Sequence, residues 1–267
     1  MFCEDSTVLD GPPVIVPAGF RGGRSVPPGR AGPDGAVRVV RMRTGVEADV
    51  VERAAGVGGE LVLRRAGDHH EIISNGVFLM DTRNGESERL LVSAAVQAVP
   101  DDGSGPVSVL VGGLGVGFSL AEAARLDRVG AVTVVEREPA VVGWHRGPDA
   151  PLRPFSGGAL DDPRTRVVTA DLVDHLAADA SRHDVLCLDV DNGPDWTVTP
   201  GNARLYGPDG LDLLTARLTG RGVLAVWSAG AAPAFEELLR SRFGRVEVLP
   251  VPVPRGEPDV VYLAHRT

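Results

Sequence analysis

Val109-Leu110-Val111-Gly112-Gly113-Leu114-Gly115-Val116-Gly117 joins an apolar run to a glycine-dense turn, and a helical pattern follows at about 118–127. An apolar run stopped by glycine reads as a buried strand. Glycines let a strand-to-helix turn tighten and let its backbone approach a bound nucleoside closely. Gly113, Gly115 and Gly117 give G-x-G-x-G, whereas Phe118 stands where the dinucleotide fingerprint places its third glycine. Gly112, Gly113, Gly115 and Gly117 are therefore candidate backbone contacts to a nucleoside, set against the plainer reading of a tight turn.

Outward from this turn, strand and helix alternate. Stretches 107–111, 131–135, 166–169, 184–188 and 222–227 read as buried strands, with helical patterns at about 118–127, 139–146, 171–180, 203–218 and 232–242. Parallel strands need crossovers, so this alternation implies a doubly wound sheet. Stretches 246–251 and 260–264 flank a Pro-rich link and can pair antiparallel, which makes seven strands in all. That ending distinguishes a methyltransferase-type, Rossmann-like sheet from the simplest dinucleotide-binding ones. The fold class expected is α/β, doubly wound and mostly parallel, with a small N-terminal antiparallel β element.

Three segments follow: 1–36, 37–100 and 101–267. The first is crowded with Gly and Pro and reads as disordered or draped, with a short apolar run at 14–16. In the second, runs at 37–40, 61–64 and 71–73 are bounded by turn signals such as Gly67-Asp68 and Asn75-Gly76, and a helix is expected over 86–99. The third is the nucleoside-binding domain.

Composition narrows the partners. The formal net charge is −9 and every basic side chain other than histidine is arginine. An acidic chain without a basic stripe is a poor match for nucleic acid, whose binding rests on phosphate neutralisation. No apolar run is long enough to span a bilayer, so no membrane partner is expected. Cys187 lies in an apolar run as a buried free thiol, which fits a reducing cytoplasm. No His and Cys cluster has metal-ligand spacing, so no metal is expected.

Carboxylates punctuate the strand ends. Glu136 closes the second strand, where an acid about twenty residues beyond the glycines can accept hydrogen bonds from ribose hydroxyls; Glu138 reads as a surface charge. Asp171 follows the third strand, placed for an adenine amino group or for a helix N-cap. Leu188-Asp189-Val190-Asp191-Asn192-Gly193-Pro194 follows the fourth. There Asp189 and Asp191 can hold a cation or take a proton from a nucleophile, although the same residues also suit a turn.

The order of these signals resembles the spermidine synthase family of aminopropyltransferases over about 60–267. The resemblance assigns the loop Gly112 to Gly117, Glu136 and Asp171 to the sulfonium donor, and the loop Asp189 to Pro194 to catalysis. Asn75-Gly76-Val77-Phe78-Leu79 is similar to the family's strand before its gate, and Ser87-Glu88 to the start of its Tyr-His-Glu helix. The stretches 202–206 and 218–227 are similar to its penultimate helix and strand. This sequence also departs from the pattern. The aspartate that holds the donor's amine falls on Gly115, and Glu86 replaces the tyrosine. The second acid of the catalytic loop is either Asp191, displaced by one, or becomes Asn192, so that only Asp189 matches cleanly.

With Gly115 in that position, the repulsion that would exclude a donor carboxylate is gone. The sequence reading therefore favours intact S-adenosylmethionine over its decarboxylated form, and methyl as the transferred group, with a small nucleophile as acceptor. An aminopropyltransferase using the decarboxylated donor and a polyamine is the alternative, and a non-catalytic nucleoside-binding scaffold is another. Trp144, Trp196, Trp227, His145 and Tyr206 can line a pocket or pack a core. The N-terminal sheet resembles the family's oligomerisation element, and a homodimer is expected.

Overall fold

The computed structural model describes residues 48–266. The N-terminal segment 1–36 and the strands expected at 14–16 and 37–40 lie outside the described residues.

Four strands form the small antiparallel sheet in the order β1-β2-β3-β4: β1 (Ala48–Gly56), β2 (Gly59–Ala66), β3 (His69–Ser74) and β4 (Val77–Asp81). Asn75 and Gly76 both have positive φ, as a two-residue hairpin of this twist requires. Leu61, Leu63 and Ile72 turn inward and join the core of the larger domain. β1 was not legible in the sequence because it is exposed along nearly its whole length and carries no alternating apolar face. Its order comes from the ladder to β2, which runs from Ala48↔Ala66 to Gly56↔Gly59.

Helix α1 (Glu86–Ala98) buries Leu91, Val92, Ala95 and Val96 at helical spacing and leads into the main sheet. That sheet contains β5 (Val107–Gly112), β6 (Val129–Glu136), β7 (Thr165–Thr169), β8 (His183–Leu188), β9 (Leu218–Ser228), β10 (Arg245–Val251) and β11 (Asp259–His265). Its order is β10-β11-β9-β8-β5-β6-β7. β5 to β9 are parallel, and β11 runs antiparallel between β9 and β10. The expected doubly wound sheet and its antiparallel ending are both present.

Helices α2 (Phe118–Arg125), α3 (Pro139–Gly143), α4 (Leu172–Ala178), α5 (Pro208–Ala216) and α6 (Pro233–Arg242) make the crossovers. The helix expected over 203–218 is divided: a 3-10 stretch, Pro200–Tyr206, precedes α5, and Gly207 with Pro208 breaks them apart. At the amino-terminal edge of the sheet, Asp184 is buried. It accepts from the Ser108 amide and hydroxyl, the Thr219 hydroxyl and Arg221. Cys187 is a buried free thiol, as expected.

The chain turns back between β6–β7 and β8–β9, so adjacent strands β5 and β8 lead into opposite halves. Open α/β sheets bind ligands at the carboxyl edge of such a switch point.

Candidate active site

Along that carboxyl edge the structure places Asp171 after β7, Glu136 at the end of β6, and the glycine turn after β5. Asp189 follows β8, Trp227 and Ser228 end β9, and Asp259 begins the antiparallel β11. Six of the strands therefore contribute to one row.

The glycine turn depends on two close approaches. Gly113 has φ +91, and a Cβ there would run into the Asp189 carbonyl. The two strand ends are also joined by the Asp189 amide, which donates to the Gly112 carbonyl at 2.9 Å. Gly117 has φ +96, and a Cβ there would press on Ser156 and on His145. His145 is fully buried, and its Nε2 donates to the Gly115 carbonyl at 2.9 Å, bracing the turn from below. Burial holds the His145 pKa below the usual imidazole value, so the ring is neutral. Trp144 and Tyr206 are buried, and the Tyr206 hydroxyl donates to the Val190 carbonyl. Trp196 is half exposed.

Glu136 is buried with both carboxylate oxygens engaged. Oε2 accepts the Leu114 amide at 2.9 Å and Oε1 the Glu138 amide at 2.8 Å. Burial raises its pKa, and these backbone donors oppose the shift. Each carboxylate oxygen has a second lone pair, so an approaching hydroxyl pair can still be received. Glu138 differs from the surface charge expected. It is buried, and its Oε2 accepts the Val57 amide at 2.7 Å from the tip of the β1–β2 hairpin. The small sheet is thereby fastened beside Glu136. Asp171 caps α4, accepting the Val173 and Asp174 amides.

The two catalytic-loop acids have different surroundings. Asp189 accepts from the Ser119 hydroxyl at 2.6 Å. Burial first, and then the Glu136 charge, push its pKa up to about 6. Asp191 sits at φ +56, and Oδ1 accepts the Val198 and Thr199 amides while Oδ2 accepts the Asn202 side chain. It organises the loop around itself.

Sequence reasoning missed part of the site, and it marked Glu88 only by resemblance, without a role. Glu88, in the first turn of α1, is pushed up to about 7 by burial and by the neighbouring Asp189 charge. The Ser87 hydroxyl is shared between Glu88 Oε2 at 2.9 Å and Asp259 Oδ2 at 2.8 Å. Asp259 follows a Pro-rich link and carries no motif, so no local signal marks it. Met80 is the other omission: a Cβ on Gly115 would meet its sulfur. Among the described residues, no group of His, Cys, Asp or Glu is arranged to hold a metal ion, and no helix is long and apolar enough to cross a membrane.

No protein-family model matches the chain. Polyamine aminopropyltransferase 1 of Streptomyces coelicolor is 38% identical over 126 residues, which is 47% of this chain and 23% of the relative. The polyamine aminopropyltransferase of Mycobacterium tuberculosis H37Rv is 33% identical over 175 residues, 64% of this chain and 31% of the relative. The chain thus spans less than a third of either relative's length. Among solved structures, spermidine synthase from Thermotoga maritima superposes with a TM-score of 0.64 at 18% identity, covering 82% of this chain and 73% of that one.

These relatives overturn methyl transfer from intact S-adenosylmethionine. Each is named for aminopropyl transfer. Beside Gly115, where the sequence reading removed a repulsion against a donor carboxylate, lies the Met80 thioether. The chain is therefore spermidine synthase-like, related in sequence to the polyamine aminopropyltransferases and built on the methyltransferase-type sheet.

Proposed function

We propose that this chain moves an aminopropyl group from decarboxylated S-adenosylmethionine to a small amine, with Asp189 as the base. The observation that carries this reading is the Asp189 carboxylate. It is half-buried, hydrogen-bonded to Ser119 beside the glycine turn, and pushed up to about 6. A base with that pKa is ionised at neutral pH and still takes a proton readily.

The donor lies along the row, adenine toward Asp171, ribose hydroxyls on Glu136, and sulfonium over the backbone of Gly112, Gly113, Gly115 and Gly117. Its transferable chain then points toward β8. The acceptor nitrogen attacks the carbon bonded to sulfur. A C–N bond forms as the C–S bond breaks, methylthioadenosine leaves, and the ammonium proton passes to Asp189. The sulfonium is already activated, so the protein supplies position, desolvation and the base. Asp191 acts one step removed, holding the loop that carries Asp189.

The protein is proposed to work as a cytoplasmic homodimer. Among the described residues β1 is the edge of the small sheet and exposes Val50 and Val51, a surface suited to pairing across a two-fold axis. Light scattering at micromolar concentration tests this, and a monomeric mass would refute it.

Calorimetry tests the donor assignment. Decarboxylated S-adenosylmethionine is expected to bind more tightly than the intact molecule. The reverse order would refute this choice of donor.

A further inference from the structure

The carboxylate proposed to receive the ribose is held from two sides, and the far side leads to the small sheet. Glu136 Oε2 accepts from Leu114 in the glycine turn, while Oε1 accepts the Glu138 amide at 2.8 Å. That amide stands at the N-cap of α3, immediately before Pro139. The oxygens of Glu138 itself are engaged elsewhere. Oε2 accepts the Val57 amide at 2.7 Å, and Oε1 accepts from Arg137 Nη2 at 2.8 Å and Nε at 3.1 Å.

The tip of the β1–β2 hairpin is shaped for this contact. A Cβ on Gly56 would stand 2.6 Å from the Glu138 Oε2, and one on Gly58 would stand 2.7 Å from the Arg137 guanidinium. A side chain at either position would displace one member of the Arg137-Glu138 pair. Asn75, in the β3–β4 turn, closes the tip from behind. Its Nδ2 donates to the Gly58 carbonyl at 2.9 Å, and its Oδ1 accepts the Glu60 amide at 3.0 Å. The Val57 side chain is exposed, so its backbone N–H is what this residue contributes. Glu138 is buried, and a buried carboxylate oxygen that loses its donor is costly.

We propose that Glu138 is a positioning residue for the nucleoside end of the donor: clasped by the Val57 amide, it fixes the N-cap whose own amide aims the Glu136 carboxylate. This rests on the assignment of the ribose to Glu136 and is independent of which group is transferred. Because its oxygens are taken, Glu138 acts through Glu136 and not on the ribose. Affinity for the nucleoside therefore depends on a hairpin tip 81 residues upstream in the chain. The dependence is reciprocal. A nucleoside that steadies Glu136 steadies the clasp by the same free energy.

The probe is methylthioadenosine, which carries the ribose without a transferable chain. It is titrated calorimetrically into wild type, Glu138→Ala, Glu138→Gln, Val57→Pro and the double variant of Glu138→Ala with Val57→Pro. Val57 is the first of two loop residues and its φ is not positive, so proline fits there and removes the N–H. Glu138→Ala and Val57→Pro should each weaken binding by about three- to tenfold, the scale of one net hydrogen bond. The double variant should be no weaker than the worse single, since both delete the same bond. Glu138→Gln keeps an acceptor oxygen and should recover most of the affinity lost in Glu138→Ala. In wild type, methylthioadenosine should slow hydrogen exchange at the Val57 amide. Additive losses, or exchange at Val57 indifferent to the ligand, would mean a merely structural contact and would overturn the proposal. Wild-type affinity in Glu138→Ala and Val57→Pro, beside a loss in Glu136→Ala, would overturn it and leave the ribose assignment standing. Wild-type affinity in Glu136→Ala as well would remove both.

Discussion

The Ser119 hydroxyl and the Asp189 carboxylate meet at 2.6 Å, joining the first turn of α2 to the end of β8. Ser119 lies two residues past Gly117, so the segment proposed to approach the donor also holds the proposed base. The same hydroxyl reaches the Glu88 carbonyl at 3.4 Å, bringing α1 into the arrangement. The glycine turn, Asp189 and the start of α1 are thereby fixed to one another through one short side chain.

From that geometry, Asp189→Asn keeps the Ser119 contact and loses the base. Donor affinity should stay near wild type while turnover falls by about 10²–10⁴-fold. Calorimetry and single-turnover kinetics on the same folded protein check this. A matching loss of donor affinity would instead place Asp189 on the donor.

Glu136→Ala should weaken the donor and methylthioadenosine alike, by about 1.5–3 kcal/mol, because both carry the ribose. Glu136 also braces the Leu114 and Glu138 amides, so Glu136→Gln serves as the control that retains one acceptor oxygen. Titration calorimetry with both ligands is the measurement, and unchanged affinities in the folded variants would remove Glu136 from the site.

Gly115→Asp introduces a side chain at φ +49 against the Met80 sulfur. It should cost about 1–3 kcal/mol of stability for the left-handed backbone, plus the displacement of Met80. In a denaturant-melt double-mutant cycle, Met80→Ala should recover the second part. Additive losses would show that Met80 does not oppose a side chain at 115.

Two groups of acids set the dependence of stability on pH, with opposite signs. Burial raises Glu88 to about 7 and Asp189 to about 6, so their contribution is full below about pH 4 and is lost as pH rises through those values. Burial opposes the shift of Asp184, but its hydrogen bonds, led by Arg221, lower it to about 2. Its contribution is present above about pH 4 and is lost as pH falls toward 2. On these three groups the unliganded protein should melt highest near pH 4 and lose stability as pH rises toward 7. Glu88→Gln should raise the melting temperature at pH 8, because it removes one of two adjacent buried charges. A lower melting temperature there would mean that the Glu88 charge is compensated in the folded protein.

The sheet and the glycine turn were legible because their signals are local: apolar runs ended by glycine, and acids one residue past a strand. Asp171 illustrates the limit, since N-cap and adenine acceptor call for the same residue in the same place, and the structure shows the cap. Glu138 was misread because its partner, the amide of Val57, lies 81 residues away at a hairpin tip whose strand β1 has no periodic face. Asp259 was invisible for a related reason. It joins the site through the antiparallel ladder to β9, where Val260 pairs with Ser228, and pairing register is not written in any short motif. The transferred group was misjudged at Gly115 because the loss of one repulsive charge does not by itself identify the donor, and the Met80 side chain beside it carries no sequence signal.

The most direct test of aminopropyl transfer is mass spectrometry of the products formed from decarboxylated S-adenosylmethionine and diaminobutane. The expected result is methylthioadenosine with an acceptor lengthened by one aminopropyl unit, both lost in Asp189→Asn. An acceptor left unmodified by a folded wild-type protein that binds the donor, or full transfer by Asp189→Asn, would contradict it.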